Sequence, residues 1–304
     1  VSLRWFMPQF NRQPPTFRAE KGLFRKTFFN LWTTNLSGTW GREVAARRAP
    51  RETANRTRHT VTNRAPKHPI RSTKDDEPGG ACVRPDELRE AIRRALISAS
   101  DPARAPGQQA YMKSSMPFLG VPVPEVRKIA RASAKGINDP SLLLKAAQQL
   151  WDDASHREER YAALALLAAS PFKTVPETLT LGEHMVRTGQ WWDFTDDVAH
   201  RVADAHDVRP EATAALTRAW ARDENMWMRR LAIISQLGRR DRVDRALLSD
   251  VIVPNVSDPE FFIRKAIGWA LRDFARVDPD WVRGFVDNHE LSPLSRREAL
   301  KHLS

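Results

Sequence analysis

The segment QWWDFTDD, residues 190–197, places two tryptophans and three aspartates next to one another. In an α-helix, residues four apart lie on the same face, so Trp192 and Asp196 are neighbours while Trp191 points elsewhere. Trp192 and Asp196 also stand beside the small residues Ala199 and Ala203, which leave space above them. This spacing suits a cleft wall that presents a carboxylate next to an indole ring.

The rest of this helix has a clear apolar stripe. The stripe comprises Trp191, Phe194, Val198, Val202 and Ala205, and the side expected to face solvent comprises Asp193, Asp197, His200 and Asp204. Trp191 is therefore predicted to lie in the core. A different interpretation stays open for the pair itself, in which Trp192 is a partly buried packing residue and Asp196 a capping or ion-paired carboxylate.

A second helix, residues 259–277, carries an aromatic residue on a basic face. Its apolar stripe is formed by Ile263, Ala266, Ile267, Ala270, Leu271 and Phe274. Trp269 falls on the opposite side, together with Lys265, Arg272 and Arg276. Such a face suits stacking on a sugar or base with phosphates neutralised alongside. The alternative is a surface tryptophan covered by another helix.

An arginine interrupts the apolar stripe of the helix at residues 224–238. Arg230 shares its face with Met226, Ile233 and Ile234, whereas Arg229 points elsewhere. A buried guanidinium requires an acceptor, because an unpaired buried charge is costly. Asp196 and a bound phosphate are both candidates, and a purely structural ion pair is the alternative to a functional one.

Other chemistry is not indicated. The chain has no P-loop, GxSxG or HExxH pattern, and its eight histidines show no spacing typical of metal ligands. With one cysteine, neither an intrachain disulfide nor a multi-cysteine metal site can form. We therefore predict no metal and no cofactor, and the lack of a long apolar run predicts no membrane contact.

The elements that must hold these residues are helices. From about residue 84, segments of helical periodicity follow one another with short breaks at Pro, Gly, Asp or Asn, and no segment shows sustained strand alternation. The pattern predicts an all-α fold. Paired helices recurring along the chain favour an α-solenoid with a concave binding surface over a compact helical bundle.

The positive charge is concentrated at one end. The chain has 49 Lys+Arg and 37 Asp+Glu, but residues 1–74 alone hold 16 basic and 3 acidic residues, so the remainder is close to neutral. We expect residues 1–83 to be a disordered basic segment and residues 84–304 to be the folded domain. A DNA-binding tail and an organelle transit peptide are alternatives for the former; we favour an upstream extension without function.

The ordered motifs resemble those of the AlkD-like DNA alkylation repair glycosylases. The resemblance covers roughly residues 85–304 and rests on these segments, in this order: AYMKSSMPFLGVPVPEVRKI, WWDFTDDVA, ENMWMRRLAIISQL, PEFFIRKAIGWALRDF and LSPLSRREALKHL. It implies HEAT-like repeats. It also implies a monofunctional glycosylase that removes cationic alkylated purines, 7-methylguanine and 3-methyladenine, from double-stranded DNA and leaves an abasic site.

The resemblance also assigns roles. It implies that Trp192, Asp196, Trp269 and Arg230 are catalytic, and that the tyrosine of the YMK motif, Tyr111, contacts DNA. We expect Lys265, Arg272 and Arg276 to position the DNA backbone. We further expect a monomeric, cytoplasmic protein of bacterial type that acts at the nucleoid. The alternative from another class is a non-catalytic helical-repeat protein that binds DNA structures or a protein partner.

Overall fold

The regular elements of the described residues are helices, with no strand among them. A computed structural model describes residues 84–169 and 175–303; the expectations for residues 1–83 lie outside them. The described residues form thirteen α-helices: α1 (Pro85–Ser98), α2 (Ala105–Met112), α3 (Val123–Ser133), α4 (Pro140–Asp152), α5 (Arg157–Leu167), α6 (Glu177–Gly189), α7 (Trp192–Val208), α8 (Pro210–Trp220), α9 (Met226–Ile234), α10 (Arg245–Ile252), α11 (Phe261–Phe274), α12 (Pro279–Asn288) and α13 (Pro293–Ala299). The all-α prediction is confirmed.

Alternate helices form a continuous row. Helix α3 contacts α5, α5 contacts α7, α7 contacts α9, α9 contacts α11 and α11 contacts α13. The intervening helices pack against members of this row: α4 against α5, α6 against α7, and α8 against both α7 and α9. Each helix pair buries its apolar face against the next pair, which is the construction principle of helical-repeat proteins.

Local sequence signals explain where most helices begin. Proline occupies the first turn of several helices, among them α1, α4, α8, α12 and α13, where its missing N–H costs nothing. Asp139, Asn225, Asp244, Asp278 and Ser292 cap α4, α9, α10, α12 and α13 by accepting hydrogen bonds from first-turn N–H groups. Of the three row helices that carry the candidate site, α9 is fixed in this way by Asn225, whereas α7 and α11 begin without a side-chain cap.

Helix α2 has no counterpart among the periodic segments. Pro106 and Gly107 lie in its first turn, and Met112 is its one buried residue. A helix with a single buried residue gives no apolar stripe, so periodicity could not detect it. It ends at Lys113, which adopts a left-handed backbone with φ 49°. The turn that follows leads the chain back toward α5.

The core is continuous along the row. Phe194 of α7 packs against Trp151 of α4 and Tyr161 of α5, with ring centroids 4.9 and 5.7 Å apart. Glycine allows a close approach at one junction, since a Cβ on Gly268 of α11 would lie 2.5 Å from the Glu298 Cβ of α13. Within the described residues, none of the helices is long and apolar enough to cross a membrane.

Candidate functional site

The centre of the candidate site is a buried ion pair between α7 and α9. Arg230 Nε donates to Asp196 Oδ1 at 2.8 Å, and Nη2 donates to Oδ2 at 2.9 Å. Both residues are about 5% exposed. The third guanidinium nitrogen donates to the Phe262 carbonyl of α11 at 2.8 Å. Asp196 is therefore the acceptor that Arg230 requires, and one arginine joins three consecutive helices of the row.

The electrostatics of Asp196 are set by two opposing effects. Burial raises the pKa of the Asp196 carboxyl above its ordinary value, and the charge and hydrogen bonds of Arg230 oppose that shift. Both carboxyl oxygens accept N–H bonds in a parallel arrangement, which is the geometry of an ionised carboxylate. Each oxygen keeps a second lone pair, so the group can still accept a proton or a hydrogen bond from a further partner.

The two tryptophans predicted to be catalytic are both partly buried. Trp192 is the first residue of α7, and Trp269 lies in the middle of α11. Each packs against the core while retaining some exposure. Because α7, α9 and α11 are consecutive members of the row, Trp192, the Asp196–Arg230 pair and Trp269 occur on adjacent helices. The four residues predicted to be catalytic thus lie on three consecutive helices of the row: Trp192 and Asp196 on α7, Arg230 on α9 and Trp269 on α11.

Trp191 belongs to an aromatic cluster beside the ion pair. Its ring lies 6.0 Å from Trp227 and 6.1 Å from Phe262, and the last two are 5.0 Å apart. Trp191 is partly buried at the helix N-cap, not deep in the core as the apolar stripe suggested. The cluster packs the starts of α7, α9 and α11 together.

The prediction that Asp193 faces solvent is wrong. Asp193 Oδ1 accepts from Arg157 Nη2 at 2.8 Å, and Oδ2 accepts from the Tyr161 hydroxyl at 2.7 Å. Its side chain is 13% exposed. Burial raises the pKa of Asp193, while Arg157 and Tyr161 oppose the shift. The reason is tertiary, because α5 covers the side of the first turn of α7 that a helical wheel assigns to water.

The other three residues that the helical wheel assigned to the solvent side of α7, Asp197, His200 and Asp204, are also partly buried. Asp197 accepts from Arg127 of α3 at 2.6 Å, and Asp204 pairs with Arg201 at 3.0 Å. His200 is partly buried, and burial lowers its pKa, so the imidazole is neutral at pH 7. The face of α7 that was expected to be solvated is therefore only partly exposed, and its aspartates Asp197 and Asp204 pair with arginines.

The basic residues predicted on α11 do not share one environment. Lys265 Nζ lies 3.0 Å from Glu298 Oε1, and Arg272 Nη1 donates to Glu298 Oε2. Arg272 is 8% exposed, so its predicted position on an open basic face is wrong, because α13 packs over that part of α11. Burial alone would raise the pKa of Glu298, but Lys265 and Arg272 hold it below its usual value. Arg276 has a side chain that is 67% exposed.

Tyr111 lies at the end of α2 and is 54% exposed. Burial of part of its ring raises the pKa of its hydroxyl. Three residues after Tyr111, the Ser114 hydroxyl accepts from Arg157 Nη1 at 3.3 Å. The α2 turn that carries Tyr111 is thus tied to the same arginine that holds Asp193.

The sequence did not reveal the residues that hydrogen-bond to, or pack beside, the predicted site residues. Glu298, Arg157, Tyr161 and Phe262 all contact or flank them, although none stood out from composition. The one available signal was the spacing of Arg157 and Tyr161, four residues apart on one helix face. Among the described residues, no group of three or more His, Cys, Asp or Glu side chains could hold a metal ion.

The class of protein is therefore an all-α helical-repeat protein with a buried carboxylate–arginine pair between α7 and α9 and partly buried tryptophans on α7 and α11. Comparison with protein families gives a match to the DNA alkylation repair enzymes over residues 92–303. The chain belongs to the DNA alkylation repair enzyme family. Comparison with curated protein sequences gives no match.

Solved structures of related proteins show the same fold. A predicted DNA alkylation repair enzyme from Enterococcus faecalis is 28% identical, with a TM-score of 0.63, over 67% of this chain and 97% of that one. AlkD2 from Streptococcus mutans is 17% identical, with a TM-score of 0.53, over 71% of this chain and 98% of that one. The match to AlkD2 supports the fold alone.

Proposed function

We propose that this protein is a monofunctional DNA glycosylase that hydrolyses the N-glycosidic bond of cationic alkylated purines, such as 7-methylguanine and 3-methyladenine, in double-stranded DNA. The observation that carries the proposal is the buried Asp196–Arg230 pair in a member of a DNA alkylation repair family. The partly buried tryptophans Trp192 of α7 and Trp269 of α11, on the two helices that pack against α9, support it.

The chemistry suits a single carboxylate. A purine alkylated at N7 or N3 already carries a positive charge, so it departs with the bonding electrons and needs no proton from the protein. The sugar left behind resembles an oxocarbenium ion, and water must add at its C1′ carbon. The enzyme therefore has two tasks, which are to stabilise positive charge on the sugar and to orient the water.

In this proposal, Asp196 performs both tasks. Its negative charge stabilises the sugar cation, and a lone pair not used by Arg230 accepts the proton of the attacking water. Arg230 keeps the carboxylate ionised and fixed in orientation. The indole faces of Trp192 and Trp269 add a favourable interaction with the developing cation. The product is an abasic site, with no nucleophilic lysine needed and no strand cleavage expected.

The cations of the site have separate roles in this proposal. Arg276, the most exposed of the three on α11, contacts phosphate. Lys265 is half-exposed and also contacts phosphate, while sharing Glu298 with Arg272. Arg272 acts indirectly, by holding α13 against α11. Tyr111 contacts the DNA from the α2 turn.

The test is single-turnover release of 7-methylguanine from a methylated duplex, with protein in excess, followed by chromatography. Wild-type protein should release the base, and Asp196→Asn should release it about 100- to 1000-fold more slowly, because one electrostatic contribution to the transition state is lost. DNA affinity, measured by titration of the same duplex, should stay near wild type. Trp192→Ala should also slow release.

The outcome also separates the competing function. A non-catalytic helical-repeat protein would bind the duplex and release no base, and Asp196→Asn would change neither result. Full release by Asp196→Asn would remove the proposed mechanism. Treating the product with alkali should convert the abasic sites to strand breaks, whereas breaks present before alkali would contradict a monofunctional enzyme.

A further inference from the structure

A second carboxylate with an arginine partner, Asp193, lies one residue from Trp192 and three from Asp196, with its side chain 13% exposed. Asp193 accepts from Arg157 and from the Tyr161 hydroxyl, and Arg157 Nε donates to that same hydroxyl at 2.9 Å. The three groups form a closed triangle between α5 and the first turn of α7. Arg157 and Tyr161 are both less than a tenth exposed.

The Asp193–Arg157–Tyr161 triangle also makes contacts outside α5 and the start of α7. The Arg157 guanidinium carbon lies 4.2 Å from the centroid of the ring of Phe194, the residue that follows Asp193 in the chain. Arg157 also donates to Ser114, and its backbone N–H donates to the Pro117 carbonyl at 2.9 Å. One arginine therefore connects the segment that follows Tyr111 with the start of the helix that carries Trp192.

The first turn of α7 is anchored from two directions. Asp193 binds α5, and Asp196 binds α9 through Arg230. Rotation of the turn about the helix axis, or a slide between its neighbours, would break hydrogen bonds to α5 or to α9. With only the Arg230 anchor, Asp196 keeps its partner but the direction of the Trp192 side chain is no longer fixed from the α5 side.

Stability alone is a weak reason for such a triangle. Burying a charged pair costs desolvation that its mutual attraction only partly returns, and apolar side chains of the same volume often serve stability as well. A fixed hydrogen-bonding geometry, by contrast, cannot be supplied by apolar packing. Functional groups need this kind of support, because supporting residues that leave a site about 1 Å too loose make it ineffective.

We propose that Asp193 is a positioning residue, which with Arg157 and Tyr161 fixes the first turn of α7 so that Trp192 and Asp196 meet the sugar of the damaged nucleotide. This inference rests on the proposed glycosylase function. Asp193 itself does not touch the DNA. Its loss should therefore lower the rate of base release without weakening the binding of the duplex.

The experiment uses the full-length protein, with Asp193→Asn and Tyr161→Phe as the test variants. Single-turnover release of 7-methylguanine is measured at saturating protein, and the Kd for the same duplex is measured by titration. A displacement of about 1 Å in a reacting group costs about 100-fold in rate, so Asp193→Asn should release the base about 10- to 100-fold more slowly. Tyr161→Phe, which removes one hydroxyl and keeps the buried ring, should show a smaller loss.

Asp207→Asn is the matched control. Asp207 lies on the same helix and also binds an arginine, Arg239, at 3.0 Å, but it lies at the opposite end from Trp192. Melting temperatures of all variants are recorded, and rates are measured well below the lowest of them. Asp207→Asn should release the base at the wild-type rate, and Kd should be unchanged in all three variants.

Each result decides something. Wild-type rates in both Asp193→Asn and Tyr161→Phe would overturn the positioning role while leaving the glycosylase proposal intact. An equal loss of rate in Asp207→Asn would show that any weakening of α7 slows the reaction, which also overturns it. If Asp193→Asn does not fold, Tyr161→Phe alone decides. A wild-type protein that releases no base would overturn the proposed function and this inference with it.

Discussion

The two ends of α7 both carry carboxylates bound to arginine, yet they are built differently. In the first turn, Asp193 and Asp196 are enclosed, and each accepts two hydrogen bonds from a neighbouring row helix. In the last turn, Asp207 binds Arg239 and Arg242 near the surface, with a third of its side chain exposed. Next to it, His206 is buried, and its Nε2 atom has no hydrogen-bond partner among the described residues.

The two ends of α7 show how exposure changes the energetics of an aspartate–arginine pair. Water screens the pair between Asp207 and the exposed Arg242, so this pair can break and re-form at little cost, while Asp207 itself stays in reach of water beside the buried Arg239. At the first turn the partners are desolvated, so removing one leaves a charge with no replacement for its hydrogen bonds. The first turn is therefore rigid where the proposed chemistry needs it. The last turn is sensitive to pH, because a buried neutral histidine lies there.

The largest expected effect comes from breaking the buried pair at the first turn. Arg230→Met leaves the Asp196 carboxylate buried without its partner, which should lower the free energy of unfolding by about 3–5 kcal/mol. Urea unfolding at about pH 8 measures it. The loss should be smaller at about pH 5, because the isolated Asp196, whose pKa is then raised further, takes up a proton and gives up its charge.

A surface pair provides the control for that measurement. Arg218 pairs with Asp250 at 2.8 Å, and both side chains are about two-fifths exposed. Arg218→Met should change the free energy of unfolding by less than about 1 kcal/mol. If the two arginine variants were destabilised equally, burial would not be the property that distinguishes the Asp196 pair.

The second effect concerns the last turn and pH. Burial, and then the nearby charge of Arg239, lower the pKa of His206 to about 4. The unfolded chain has a histidine pKa of about 6.5, so between these values the unfolded state binds more protons than the folded state. Stability is therefore greatest above about pH 6.5 and falls as the pH drops toward 4, by roughly 2–3 kcal/mol from this residue.

His206→Gln isolates that contribution. Carboxylates such as Asp207 and Glu298, whose pKa values are lowered by arginine or lysine partners, also lose their stabilising effect as the pH falls. Wild type and His206→Gln both contain these carboxylates, so the difference between their stabilities at each pH measures the contribution of His206. The wild-type curve should fall more steeply between about pH 6.5 and 4. Parallel curves would mean that His206 is not held neutral by the fold.

The smallest effect is expected for the exposed carboxylate beside His206. Asp207→Asn removes the charge that pairs with the exposed Arg242 and the buried Arg239, but the Asn amide oxygen can still accept from Arg239, so the free energy of unfolding should fall by only about 1 kcal/mol. Added salt should reduce even this difference, since exposed charges are screened. Urea unfolding at low and high ionic strength measures it. A loss of several kcal/mol that salt does not change would show that the last turn is as enclosed as the first.

Much of the helix pattern follows from sequence because its signals are local. Apolar periodicity, first-turn prolines and capping residues depend on neighbours a few positions away, and twelve helices are visible in that way. Helix α2 is not, since one buried methionine makes no stripe. The need of Arg230 for an acceptor is also a sequence-level result, because a guanidinium within an apolar stripe requires one wherever it packs.

Which groups meet across helices was decided by tertiary structure. A helical wheel assigns Asp193 to solvent because it has no information about α5, and it assigns Arg272 to an open face because it has no information about α13. Only packing supplies Arg157 and Tyr161 to the first and Glu298 to the second. By itself, the sequence determined the helices, their order and the residue types on each face. The structure decided which of those faces remain open, because burial depends on neighbours distant in the chain.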